Sequence, residues 1–158
     1  MLMKTSLFKD ICGTFATGVT VITSKKFDQD YGFTANSFTS VSIDPLLILF
    51  CLDKKAKSND SLQINDFFVV NILSESQEKI CYQFANSKLN PNERFEKVKT
   101  KISKNNIKII SESCSFIECK ITDIFDGGDH FIYLGLCVDG KINDKEKKPL
   151  IYHKGKLL

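Results

Sequence analysis

The chain has no tryptophan, a single arginine (Arg94), two histidines and three prolines in 158 residues. The shortages of arginine and histidine each argue against a class of function. Arginine supplies most bidentate contacts to phosphates and base edges. With one arginine and a net charge of only +3, the chain lacks the basic face of a nucleic-acid binder. His130 and His153 are too few for a multi-histidine metal centre, and neither has ligand spacing to a carboxylate or thiol, so no metal site is expected. No Ser-His-Asp arrangement stands out, which argues against hydrolysis. The six cysteines, Cys12, Cys51, Cys81, Cys114, Cys119 and Cys137, include no CxxC pair. Most lie in apolar runs, so free thiols in a reducing compartment are expected, and not disulfides or zinc. Neither GxGxxG nor GxxxxGK[ST] occurs, so a Rossmann site and a P-loop have no support. No apolar run approaches the ~20 residues of a membrane span, and the start lacks a basic-then-apolar leader. A cytoplasmic protein is the expectation.

What is present is material for a core. Apolar residues make up 42% of the chain, including thirteen phenylalanines, enough for one domain over residues 1–158. A domain of this size buries roughly 70% of its unfolded surface. Phe8, Ile11, Cys12 and Phe15 recur at helical spacing, predicting an amphipathic helix that Gly18 ends. Val19–Thr23, Leu46–Leu52, Phe67–Leu73, Ser115–Phe125, Phe131–Val138 and Pro149–His153 read as strands. Asp126-Gly-Gly-Asp129 is a turn signal joining two of them as a hairpin. A brief helix is expected from Ser58 to Asn65, and Ser74-Glu-Ser-Gln77 fits a capping box opening a helix with Ile80, Cys81 and Phe84 inward. The Lys- and Asn-rich stretch from Asn86 to Ser113 offers no clear period. Strands with irregularly placed helices favour an antiparallel barrel or sandwich with peripheral helices.

One segment stands apart. Gly32 to Pro45 carries the hydroxyls of Thr34, Ser37, Thr39, Ser40 and Ser42 and the amide of Asn36, just before the most apolar run. If the segment is extended, Thr34, Asn36, Phe38, Ser40 and Ser42 share one face. Such a face is either a solvated edge or a bed of donors and acceptors for a flat polar ligand. Lys54, Lys55 and Lys57 precede the expected helix, where cations oppose the helix dipole unless an anion sits among them. They are otherwise a solvated run in a lysine-rich chain. His130 follows Gly-Gly-Asp at a strand start, a rim position or a purely structural one. With no hydrolytic triad or metal-ligand spacing in evidence, an organic cofactor carrying the hard chemistry fits best.

The ordered motifs carry a resemblance. Phe15-Ala-Thr-Gly-Val-Thr-Val-Ile-Thr23, Gly32–Pro45 and Phe68-Val-Val-Asn-Ile-Leu-Ser74 come first. Gln83-Phe84-Ala85, Glu118-Cys119, Gly128-Asp129-His130 and Pro149-Leu-Ile-Tyr-His-Lys-Gly155 follow in order. Together they resemble the flavin reductase-like family, the FMN-binding split barrels that include reductase components of two-component flavin monooxygenases. The resemblance implies a mainly β, antiparallel, Greek-key split β-barrel with peripheral helices. It implies FMN or FAD as cofactor, NADH or NADPH as hydride donor, a homodimer, and a flavin-dependent monooxygenase as partner. It implies that Thr34, Ala35, Asn36 and Ser37 lie along the flavin, with Ser40 and Ser42 helping to hold it. Cys51, Leu52, Asp53, Lys54, Lys57 and Ser58 would approach its phosphate, and Phe84, Ala85 and Tyr152 complete the contacts. His130 would stand near the flavin ring and the nicotinamide as the catalytic residue. The alternative within the same fold is a non-catalytic FMN-binding electron-transfer protein. The chain departs from the family in having Pro45-Leu46 for a frequent Pro-Pro, Lys9 for a frequent arginine, and Leu157 for a terminal aromatic.

Overall fold

A computed structural model describes residues 2–158. The chain opens with helix α1 (Thr5–Gly13), followed by β1 (Thr17–Gly18), β2 (Thr20–Lys26), β3 (Gln29–Ala35), β4 (Thr39–Ile43) and β5 (Leu46–Asp53). A 3₁₀ turn at Lys57–Ser61 leads to β6 (Phe67–Ile72) and, after a second at Glu75–Gln77, to α2 (Glu78–Ala85) and α3 (Pro91–Arg94). The hairpin β7 (Thr100–Ile102) and β8 (Lys108–Ile110) precedes the long strands β9 (Ser115–Asp126) and β10 (His130–Ile142). The short strands β11 (Ile151–His153) and β12 (Lys156–Leu157) end the chain.

Seven strands form one antiparallel sheet in the order β3-β2-β6-β9-β10-β5-β4. Right-handed twist curls it, and β3 returns toward β5 without a hydrogen-bonded ladder between them. Contacts that join that split include the Phe33 and Phe50 rings at 5.8 Å and Ser37 to the Cys51 backbone. The fold is therefore the split barrel expected. Inside lie Ile22, Phe33, Ile48, Phe50, Phe68, Val70, Ile121 and Tyr133, all buried. The outer faces of β2 and β6 are covered too. Val21 packs with Leu73, Phe84, Phe95 and Ile110 in a second cluster under α2. That two-sided burial explains why β2 is β-branched and does not alternate. The buried Asn71 amide ties the layers, donating to Val21 O and accepting from Ile110 N–H.

Several boundaries differ from the sequence expectation. α1 stops at Gly13, not Gly18, because Thr14 caps it, its hydroxyl donating to Ile11 O. No residue of α1 is buried, and the apolar stripe that predicted it faces outward. The helix expected over Ser58–Asn65 is only the Lys57–Ser61 turn. The capping box is present, with Gln77 accepting from Ser74 N–H, but a 3₁₀ turn precedes α2. The hairpin turn also holds: Gly127 N–H donates to His130 O, and Gly128 has φ +88°, a conformation glycine adopts without strain. Among the described residues no helix is long and apolar enough to cross a membrane.

Candidate functional site: three adjoining hollows along the split

Between β3, the end of β5 and the C-terminal end of α2 lies a cavity of about 380 Å³. Thr34, Leu52, Asp53, Phe84 and Ala85 form its inner walls, and Lys55, Lys57, Ser58, Ser87 and Arg94 its polar end. A second hollow of about 240 Å³ shares Thr34 and Ala85 with the first and runs past Ala35, Asn36 and Tyr82 to Tyr152. A third, of about 870 Å³, shares Asn36, Tyr152 and Gly155 with the second and reaches Phe8, Cys12 and Phe15 at α1. The three adjoin through these shared residues; the first carries Lys55, Lys57 and Arg94 beside Asp53, and the others are lined by hydroxyl, amide and aromatic groups.

Local sequence dictates these walls. A Cβ on Gly32 would stand 2.5 Å from Phe84 Cε1, so only glycine lets α2 lie this close to β3. The Thr34 hydroxyl donates to Cys81 O at 2.6 Å and pins the strand to the helix. The Arg94 guanidinium spans the gap behind the cavity, donating to Gly32 O at 2.6 Å and Asn86 O at 3.1 Å. Its Nε is buried without a partner, and burial lowers its pKa. Arg94 sits in the last turn of α3, which Asn90 and Glu93 cap reciprocally.

The candidate residues separate accordingly. Thr34, Leu52, Asp53, Lys57, Ser58, Phe84 and Ala85 meet around the first cavity. Ala35, Asn36 and Tyr152 meet around the second. Ser37, Cys51, Ser40, Ser42, Lys54 and His130 line none of the three hollows. The Ser37 hydroxyl accepts from Cys51 N–H and donates to Cys51 O, so both are used to fasten the split. Ser40 and Ser42 lie on β4 at the sheet edge. The shared polar face expected there does not form, because the chain leaves the strand after Ala35 and a bulge interrupts the pairing between Ser40 and Ser42. The Lys54 ammonium pairs with Asp126 and lies 5.2 Å from the Phe131 ring centroid, turned toward the β9–β10 hairpin. His130 heads β10 directly across from Asp53, with Nδ1 2.7 Å from Asp129 Oδ1. That hydrogen bond, together with the charge on His130, holds the Asp129 carboxyl below its usual range.

Ser87 and Arg94 escaped the sequence reading, and Lys55, singled out there with Lys54 and Lys57, was missing only from the contacts that the resemblance implied. For Arg94 the signal existed: it is the one arginine of a lysine-rich chain and directly follows an Asn-Pro-Asn-Glu capping box.

The family profile described as "Flavin reductase like domain" matches residues 12–157. The chain belongs to the flavin reductase-like family. A probable flavin reductase of Rhizobium meliloti is 41% identical over 128 residues, which are 80% of this chain and 40% of that protein. This chain thus corresponds to less than half of that relative's length. The flavin-dependent monooxygenase reductase subunit HsaB of Mycobacterium tuberculosis is 31% identical over 94% of this chain and 78% of its own. Among solved structures, the NADH:FAD oxidoreductase SgcE6 of Streptomyces globisporus superposes with a TM-score of 0.92 at 30% identity. That match covers 100% of this chain and 95% of SgcE6.

Proposed function

We propose that this flavin reductase-like protein, a single domain over residues 1–158, transfers hydride from NADH or NADPH to FMN or FAD. The observation that carries the reading is the set of adjoining hollows, the first with Lys55, Lys57 and Ser58 at its polar end and the second lined by Thr34, Asn36 and Tyr152. The donor set fits a flavin: Lys57, Lys55 and Ser58 suit a phosphate, Thr34 a polyol chain, and Asn36 and Tyr152 a planar ring. When bound, the flavin supplies the two-electron chemistry and accepts the hydride.

The chain's own residues need provide little acid–base work. Phe84 and Ala85 exclude water from one wall, and Asn36 offers amide hydrogen bonds to the ring edge. Lys57 and Ser58 fix the distal end so that the reacting ring is held in one pose. His130 heads β10 opposite Asp53 and lines none of the three hollows, so its role toward the nicotinamide rests on the family resemblance. With Nδ1 engaged by Asp129, Nε2 is the nitrogen left to orient a nicotinamide. Ser37, Ser40, Ser42, Cys51 and Lys54 act at one remove, by shaping the strands that carry these groups.

Two wider assignments rest on the same reading. A second copy of the chain covers the outward stripe of α1, where Phe8 is 57%, Ile11 51% and Phe15 77% exposed. A flavin-dependent monooxygenase in the cytoplasm consumes the reduced flavin, in line with the HsaB reductase subunit. The basic test is flavin binding: FMN fluorescence should be quenched on titration with protein at micromolar concentrations. Unchanged fluorescence at tens of micromolar would remove the reading.

A further inference from the structure

A polar pair, the half-buried Asn59 and the buried Tyr133, links the cationic loop to the barrel core. An anion is repelled by carbonyl oxygens, so a loop that receives one must turn its carbonyls elsewhere. In the segment Asp53–Ala56, Ala56 N–H donates to Asp53 O and Asn59 N–H to Ala56 O, and one side chain adds a bond to each of three carbonyls. Asn59 Nδ2 lies 2.8 Å from Asp53 O, 3.1 Å from Lys54 O and 2.9 Å from Ala56 O. Its two N–H hydrogens are shared among three carbonyls of the loop that carries Lys55 and leads into Lys57 and Ser58.

The other end of the amide is held as firmly. Asn59 Oδ1 accepts from the Tyr133 hydroxyl at 2.7 Å. A flipped amide would set Oδ1 against three carbonyl oxygens, so this orientation is the only one that satisfies the network. Tyr133 is buried and stacked on Phe50, with ring centroids 5.0 Å apart and 10° between planes. Burial pushes its phenol up to about 12, so it remains a donor throughout the physiological range. Neither Asn59 nor Tyr133 lines the cavity. Their contacts have no bearing on the flavin except through the loop.

We propose that Asn59, oriented by Tyr133, is a positioning residue for anion recognition. It draws the carbonyl oxygens of Asp53, Lys54 and Ala56 away from the cavity, so that Lys55, Lys57 and Ser58 face the flavin phosphate. The inference rests on the reading that this cavity takes the phosphate end of a flavin. The interior strand β10 thereby sets the geometry of the surface loop that follows β5.

The test compares FMN with riboflavin, which lacks the phosphate, in the wild type, Asn59→Ala and Tyr133→Phe. Removing all four contacts with Asn59→Ala weakens FMN binding about tenfold or more, while riboflavin changes less than about twofold. Tyr133→Phe deletes one hydroxyl, keeps the stacked ring, and moves FMN the same way by about threefold. In turnover the loss falls on KM for FMN and not on kcat. A merely structural role would lower the melting temperature and weaken both ligands together. An unchanged FMN-to-riboflavin ratio in folded Asn59→Ala and Tyr133→Phe overturns the proposal. A wild type that shows no preference for FMN over riboflavin has a different signature. It removes the phosphate reading itself, and the proposal with it.

Discussion

Lys57 and Arg94 divide the work of the cavity's polar end. Lys57 is exposed and free to meet a ligand, whereas the Arg94 guanidinium is spent on the carbonyls of Gly32 and Asn86. Lys57→Ala is therefore predicted to weaken FMN several-fold more than riboflavin, read by parallel titrations of the two. Equal losses would move the phosphate away from this wall. At this scale the sequence was half legible. Thr34 stood out on a hydroxyl-rich strand and Lys57 in a lysine run before a helix start, whereas Ser58 as a ligand contact came only from the family resemblance. What could not be read was which hydroxyls were already engaged. The Ser37–Cys51 exchange and the Lys54–Asp126 pair depend on strands meeting across the split, which no local pattern encodes. Asn59 is the sharpest case: its partners span Asp53 to Tyr133, and only the fold brings them together.

The helix α2 and strand β3 form the element on which the site depends. The capping box at Ser74, the inward Cys81 and Phe84, and the β9–β10 hairpin were all legible, since each rests on short-range rules. Residues Asn86–Ser113 were not. They hold a four-residue helix and two three-residue strands, too short for any hydrophobic period to show. The tight approach at Gly32 gives the prediction at this scale. Gly32→Ala forces Phe84 to shift, with a loss of about 1–3 kcal/mol measured by denaturant unfolding. Because Phe84 walls the cavity, flavin affinity should fall as well. A variant as stable as the wild type would show that β3 and α2 are not held this close in solution.

At the scale of the whole molecule, the curled seven-stranded sheet leaves a split that the ligand path follows, and an outward apolar helix. The strand patterns indicated a barrel or sandwich; the order of motifs selected the split barrel. The periodicity of α1 was read correctly as amphipathic, but among the described residues nothing buries its apolar stripe. Light scattering is predicted to give about twice the chain mass of 17.9 kDa. Charged substitutions at Phe8 and Ile11 should shift the protein toward monomer. A wild-type monomer that still binds flavin would leave the stripe unexplained by a second copy.

The central claim, hydride transfer to a flavin held in the split, is tested most directly by anaerobic rapid mixing of FMN-loaded protein with NADH and with NADPH. The account predicts that the visible absorbance of oxidised flavin is lost in step with oxidation of at least one of the two nucleotides. His130→Ala should slow that loss much more than it weakens FMN binding. Bound flavin that stays oxidised in the presence of both nucleotides would contradict the account and leave an electron-transfer carrier in place of an enzyme.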